Sequence, residues 1–190
     1  MRFIVFDTET NGLPSAWNAR HDDISSWPRI VQIAWVVVED QSRFPQSFIV
    51  KPDGFAIPSS ASRIHGITHE RASKDGKPLR YVMSCFAEDM SDAELIVAHN
   101  IDFDLPVANC EFIRSNVSST ITDKLSYCTM RSSTDLCKLP GNRPNEYKWP
   151  KLEELHYYLF GRGFQGAHDA LQDANAATDC YLELTKRGVA

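Results

Sequence analysis

At 190 residues, with 43% apolar and 24% charged side chains, the chain has ordinary globular usage and can bury one sizeable core, which excludes a disordered or fibrous protein. The longest apolar run, IVQIAWVVV at 30–38, falls short of the roughly 18 residues that span a bilayer, and the first residues lack a signal peptide's long apolar region, so the expectation is a cytoplasmic protein with no membrane partner. Five scattered cysteines without a CxxC pair argue against a disulfide framework or a cysteine zinc site, and a formal charge of −5 is unusual for a protein that meets phosphates.

Period and punctuation predict a strand at 2–7, a turn-rich loop at 11–28, and strands at 30–39 and 47–51, an antiparallel meander. A helical pattern follows at 79–90, then a short apolar strand at 94–98 and a helix at 103–114 after a polar turn. A segment near Tyr127 is a candidate last strand, 151–160 is helical after Pro150, and 168–186 is a terminal helix with Ala, Leu and Tyr along one side. Without internal repeats or a Pro/Gly/Ser-rich linker, residues 1–190 read as one α/β domain around a mixed sheet.

Three acidic motifs interrupt this pattern. In VFDTETNG, Asp7 and Glu9 project to the same side of a strand, about 6.6 Å apart along it, and like charges that close need a cation. In HNIDFD, Asp102 suits a helix cap, whereas Asp104, inside the first turn, is less easily explained as one. In HDALQDA, five residues of ideal helix turn by about 140°, so His168 and Asp173 converge more easily if His168 lies at the helix start. Asp173 shares its face with Ala170, Ala177 and Cys180, small residues that let a helix approach a sheet. Each motif alone also reads as a turn residue and a solvated charge.

Together and in this order, FDTETNGL, AHNIDFD and HDALQDA resemble the three motifs of the DEDDh 3′→5′ exonucleases, the DnaQ-like family that includes the epsilon proofreading subunit of bacterial DNA polymerase. RIHGIT at 63–68 resembles the family's substrate loop. The resemblance implies a ribonuclease H-like fold, a mixed five-stranded sheet with helices on both sides. It implies metal-binding acids at Asp7, Glu9, Asp104 and Asp173, His168 as general base, and non-catalytic positions at Asp102 and Asp169. The activity implied is removal of nucleoside 5′-monophosphates from the 3′ end of DNA, with single-stranded DNA as the expected substrate.

Phosphodiester hydrolysis brings an anionic nucleophile to a charged phosphate and expels a poor leaving group, and two divalent ions roughly 3.5–4 Å apart relieve both difficulties. Four carboxylates offer only oxygen ligands, which suits two Mg²⁺ or Mn²⁺ ions better than zinc. Setting those four acids aside leaves the rest of the chain at −1, so the acidic balance does not exclude nucleic acid. An imidazole changes charge near neutral pH, which suits His168 to accept a proton from water.

The resemblance further suggests Thr8, Leu13, His65 and Phe103 as substrate-binding residues; core packing for Leu13 and Phe103, and a turn hydrogen bond for His65, are the competing readings. The stretch 131–151 holds five Lys or Arg against Asp135 and Glu146, with Tyr147 and Trp149 interleaved, a mix that fits either a strand-binding surface or a solvated loop. GRGFQG at 161–166 follows a helix, so Gly161 reads as a helix C-cap and no dinucleotide site is expected. HGITH lacks the glutamate of HExxH. Competing functions are an RNA-directed exoribonuclease or oligoribonuclease, a ribonuclease H-type endonuclease, which would not call for His168, and an inactive nucleic-acid-binding module. A DNA polymerase subunit is a further partner the resemblance admits, and the 17 residues after Asp173, short for the extension by which epsilon holds its polymerase, lower the expectation of a dedicated proofreading role without excluding it.

Overall fold

The computed structural model describes residues 2–143 and 146–190. Among them five strands, β1 (Arg2–Thr10), β2 (Ile30–Glu39), β3 (Ser42–Ile49), β4 (Leu95–Ala98) and β5 (Leu125–Cys128), form one sheet in the order β3-β2-β1-β4-β5. β1 pairs antiparallel with β2 and parallel with β4, β2 pairs antiparallel with β3, and β4 pairs parallel with β5. The helices are α1 (Ser59–His65), α2 (His69–Asp75), α3 (Leu79–Met90), α4 (Ile101–Ser115), α5 (Thr129–Ser132), α6 (Thr134–Cys137), α7 (Leu152–Phe160) and α8 (Ala170–Lys186).

Both faces of the sheet are covered, which is why β1 and β2 read as near-continuous β-branched and aromatic runs. Ile4, Phe6, Ile33 and Trp35 face α3 and α4, where Phe86 packs between Trp35, at 4.9 Å, and Phe112, at 5.8 Å between ring centroids. Phe3, Val5, Ala34 and Val36 face the other way, onto Leu152, Leu155 and Leu159 of α7 and Ala170, Ala174, Ala177 and Cys180 of α8. The small residues let α8 lie close against β1 and β2. Alternation along β1 therefore continues the Phe3–Val5 series into Asp7 and Glu9, on the face toward α8.

The bounds of β2 and α3 agree with the pattern read from sequence. β1 runs past Asp7 to Thr10, because Glu9 and Thr10 still pair with Gln32 and Ile30 across a register shift. β3 begins five residues earlier than the predicted 47–51: Ser42 to Gln46 are exposed and include Pro45, so pairing with β2 at a sheet edge, without an apolar period, makes them a strand. α1, α2, α5 and α6, of seven residues or fewer, had no recognisable period. Gly161 sits in the left-handed region at φ 68° and ends α7, as a C-cap should. The five cysteines are free, and all but Cys85 are buried. Among the described residues no helix is long and apolar enough to cross a membrane.

Candidate active site

Asp104 is placed by the end of a strand. β4 stops at Ala98 and its pairing with β1 at Val5, so the backbone N–H of Thr8, further along β1, has no partner in the sheet. Asp104, in the first turn of α4, supplies one: its Oδ1 accepts from Thr8 N at 3.1 Å and from Thr8 Oγ1 at 2.6 Å. The chain turns from β4 into α4 through Asn100, at φ 78°, which stands at the N-cap. Asp102 is thus inside the helix, not its cap, and its carboxylate pairs with Arg131 at 2.6 Å on the surface.

His168 is placed by strain. It lies two residues before α8, at φ 68°, a left-handed conformation costly for a residue with a Cβ. Its backbone N–H donates to Asp173 Oδ2 at 2.9 Å, one helical turn on. The predicted helix start at His168 is therefore displaced to Ala170. Asp169 is the N-cap, with Oδ1 accepting from Leu171 N and Gln172 N at 3.0 and 3.3 Å. Gln32 of β2 ties this corner to the sheet, accepting from Ala170 N at 3.2 Å and donating to Asp169 Oδ2 at 3.3 Å.

Asp7, Thr8, Glu9, Phe103, Asp104, His168 and Asp173 consequently line one cleft of about 620 Å³. Ligand atoms of Glu9, His168 and Asp173 all lie within 4.8 Å of one another. Burial, then the charges of Asp104, Asp173 and Glu9, pushes the Asp7 carboxyl well above the usual range. Burial likewise raises Glu9 to about 8, with Asp173 and Asp104 adding, and Asp104 to about 7 against the opposing Thr8 hydrogen bonds. Asp173 is raised to about 6 by burial, opposed by the His168 N–H. Four carboxyls that resist ionising together at neutral pH, within a partly enclosed cleft, form a donor set that fits hard divalent cations: a cation removes both the repulsion and the cost of burial. Geometry alone would also count the His168 ring among the ligands.

Leu13 and His65 lie outside that lining. Leu13 is 74% exposed, which excludes core packing, whereas Phe103 both packs on the core and lines the cleft. His65 is 8% exposed and makes the turn hydrogen bond, its Nδ1 accepting from Ile67 N at 3.1 Å. Nε2 must then carry the proton, and it is buried beside the Thr10 backbone. Burial holds this imidazole below the usual histidine range, opposed by a hydrogen bond to the Thr10 backbone, with the neighbouring His168 adding.

The wall facing Phe103 was less legible in the sequence. His99, just after β4, lines the cleft and binds Pro150 O through Nε2 and Thr129 Oγ1 through Nδ1, both at 3.0 Å. A carbonyl only accepts, so Nε2 carries the proton, and burial lowers the ring's pKa to about 4. This bond fixes the segment that brings Trp149, 61% exposed, and Lys151 to the cleft. Of the basic stretch 131–151, Pro144 and Asn145 lie outside the described residues; Arg131 and Lys148 are engaged by Asp102 and Glu154. Trp149 and Lys151 belong to the stretch whose sequence fits either a strand-binding surface or a solvated loop, and His99 opens the second acidic motif.

Comparison with known proteins agrees with this architecture. DNA polymerase III subunit epsilon of Buchnera aphidicola is 28% identical over 189 residues, covering 97% of this chain and 74% of that one, and its namesake in Rickettsia felis is 29% identical over the same shares. Among solved structures, a zinc-bound complex of E. coli exonuclease I with single-stranded DNA superposes with TM-score 0.74 at 21% identity, covering 98% of this chain and 40% of that one. E. coli exonuclease I with a dT13 oligonucleotide gives 0.74 at 22% identity, over 97% and 41%. The chain thus spans about 40% of the exonuclease I chains it superposes on, and its mixed sheet with helices has their ribonuclease H-like fold. Residues 4–181 match the Exonuclease family (RNase_T), and the chain belongs to that family of hydrolytic nucleases.

Proposed function

We propose that this chain, acting as a single domain, is a DEDDh-type 3′→5′ exonuclease that releases nucleoside 5′-monophosphates from the 3′ end of single-stranded DNA. The observation that carries the reading is the convergence of Asp7, Glu9, Asp104 and Asp173, from β1, α4 and α8, with His168 looped back onto Asp173. Exonuclease I, a solved structural neighbour, is described bound to single-stranded DNA, and family membership supports the reaction class.

In this reading the four carboxylates hold two Mg²⁺ or Mn²⁺ ions, which when bound supply Lewis acidity and charge neutralisation at the phosphate. His168, exposed at the mouth and tethered by its own backbone, takes the proton of the attacking water. Its backbone donation to Asp173 leaves the ring free to move between water and solvent, which a ring bonded to the carboxylate would not be. Thr8, Leu13, His65 and Phe103 receive the terminal nucleotide: Thr8 and Phe103 from the cleft lining, Phe103 by contact with the base, and Leu13 and His65 from beyond that lining. The relatives named as polymerase subunits make a DNA polymerase a partner within this reading, with the cytoplasm as the place of action.

Time courses on 3′-labelled and 5′-labelled single strands with Mg²⁺, Mn²⁺ or chelator test it. The expected result is immediate release of labelled mononucleotide from the 3′ label and a descending ladder from the 5′ label, lost in chelator and in Asp7→Ala. His168→Asn is expected to retain binding and to lower kcat by about 10²–10⁴-fold. Internal cuts, or chelator-resistant release, would sink the assignment.

A further inference from the structure

The loop between β1 and β2 is held against α4 as a wall. Arg114 donates to the carbonyls of Ile24, Trp27 and Pro28, at 2.5, 2.7 and 3.1 Å, and Asn109 Nδ2 donates to the His21 carbonyl at 3.0 Å. Trp27 is buried, its indole N–H on the Arg20 carbonyl at 2.9 Å. Arg114 is itself fixed by the buried Glu111 at 3.1 Å, which also accepts from Arg29 Nε and Ile30 N.

Trp17 is surplus to this anchoring. It stays 61% exposed, and its main aromatic neighbour is Phe103, with ring centroids 6.0 Å apart and planes tilted by 42°. Phe103 also meets the buried Trp27 edge-on at 6.5 Å and lines the carboxylate cleft, whereas Trp17 stands outside that lining. An indole left mostly in water forfeits the burial its ring offers. A flat, rigid, exposed ring beside a cleft that receives a polynucleotide matches the face of a nucleobase.

Resting on the reading above, we propose that Trp17 is a stacking platform for the unpaired base next to the terminal nucleotide, and that it favours single-stranded over duplex 3′ ends. Phe103, set against the terminal base in that reading, lines the cleft and Trp17 stands next to it, 6.0 Å between ring centroids, so a base on Trp17 is the neighbour of the one on Phe103. A base within a duplex has both faces covered by its neighbours and its edge held by its complement; only an unpaired base can lie on a ring fixed to the wall. Because Arg114 and Trp27 hold the loop in place beforehand, little ordering cost is left to binding.

The test is equilibrium binding in EDTA, where no strand is cut, of fluorescent single strands that are intact or abasic at the second position from the 3′ end, and of a blunt duplex. Wild type, Trp17→Phe and Trp17→Ala are compared, with thermal midpoints confirming that each folds. Trp17→Ala is expected to weaken binding of the intact strand roughly 5- to 100-fold, Trp17→Phe to lose less, and the abasic strand to bind wild type and Trp17→Ala alike. Duplex binding is expected to be the same in all three. Equal weakening on abasic and intact strands, equal weakening on duplex, or no weakening at all would overturn the platform. Release of mononucleotides with Mn²⁺ is scored separately, so an inert wild type that shows the Trp17-dependent binding would sink the exonuclease reading and leave the platform standing.

Discussion

Replacing Asp104 by asparagine should stabilise the metal-free protein, increasingly as pH rises from about 4 through 7. Burial raises the Asp104 carboxyl from its ordinary 3.8 to about 7, against the pull of two Thr8 hydrogen bonds. A carboxyl raised by folding adds stability that is fully present below about pH 4 and is lost as pH rises through about 7. Roughly 3 pKa units at 1.36 kcal/mol each give a ceiling of about 4 kcal/mol, part of it shared with the neighbouring acids. Asparagine keeps the oxygen that accepts from Thr8 N and Thr8 Oγ1 and never ionises. In EDTA at pH 8.5 the variant should therefore be more stable than wild type by about 2–4 kcal/mol, or about 5–15 °C in thermal midpoint for a domain of this size. At about pH 4 the two should agree within about 1 kcal/mol. Addition of Mn²⁺ at pH 8.5 should reverse the order, because wild type gains an ion and the variant has lost a ligand. Thermal unfolding by circular dichroism measures all three conditions; a variant equally destabilised at both pH values would refute the account of the site as a repelling acid cluster.

Mn²⁺ affinity should rise steeply between pH 6 and 8, because burial holds Glu9 near 8 and Asp173 near 6 and both must lose protons to bind; calorimetry in two buffers of different ionisation enthalpy should show proton release at pH 7, and a pH-independent affinity would count against these ligands. His99, lowered to about 4 by burial, contributes stability present above pH 6.5 and lost as pH falls toward 4, so the advantage of wild type over His99→Gln should shrink by about 3 kcal/mol across that window in denaturant titrations; a constant difference would show that the ring accepts a proton without loss. Arg114→Met removes a partner of the buried Glu111 and three bonds to the loop, and should cost about 3–5 kcal/mol and open residues 20–28 to limited proteolysis; unchanged protection would mean that Trp27 alone holds the wall.

How far the sequence could be read depended on whether a residue's place follows from local period or from a distant partner. Asp7 and Glu9 were legible because a strand alternates every two residues and the same alternation carries Phe3 and Val5 into the α8 face of the core. β2 and α3 were legible because both faces of one and one stripe of the other are apolar. β3 was misplaced by five residues because an edge strand with Pro45 is defined by its hydrogen bonds to β2, which composition does not display. Trp17 carried a signal, an aromatic in a polar loop, but its relation to Phe103 exists only once Arg114 has drawn the loop onto α4.

His168 marks the limit most clearly. The motif HDALQDA names the residues, yet a continuous helix would turn the imidazole about 140° from Asp173. The chain resolves this by leaving the helix: His168 takes a left-handed conformation that a residue with a Cβ adopts at a cost of order 1–3 kcal/mol, offset by its N–H on Asp173 and by the Asp169 cap and Gln32 that begin α8 at Ala170. Within the motif, Asp169 marks that point as the helix N-cap. β2 presents Gln32 opposite Glu9, and Gln32 braces that cap, so the strand that positions one carboxylate also holds the start of the helix carrying another. A site assembled this way is spaced by the sheet's register, and a single-residue slip of β2 would separate Glu9 from Asp173 without altering any of the three motifs.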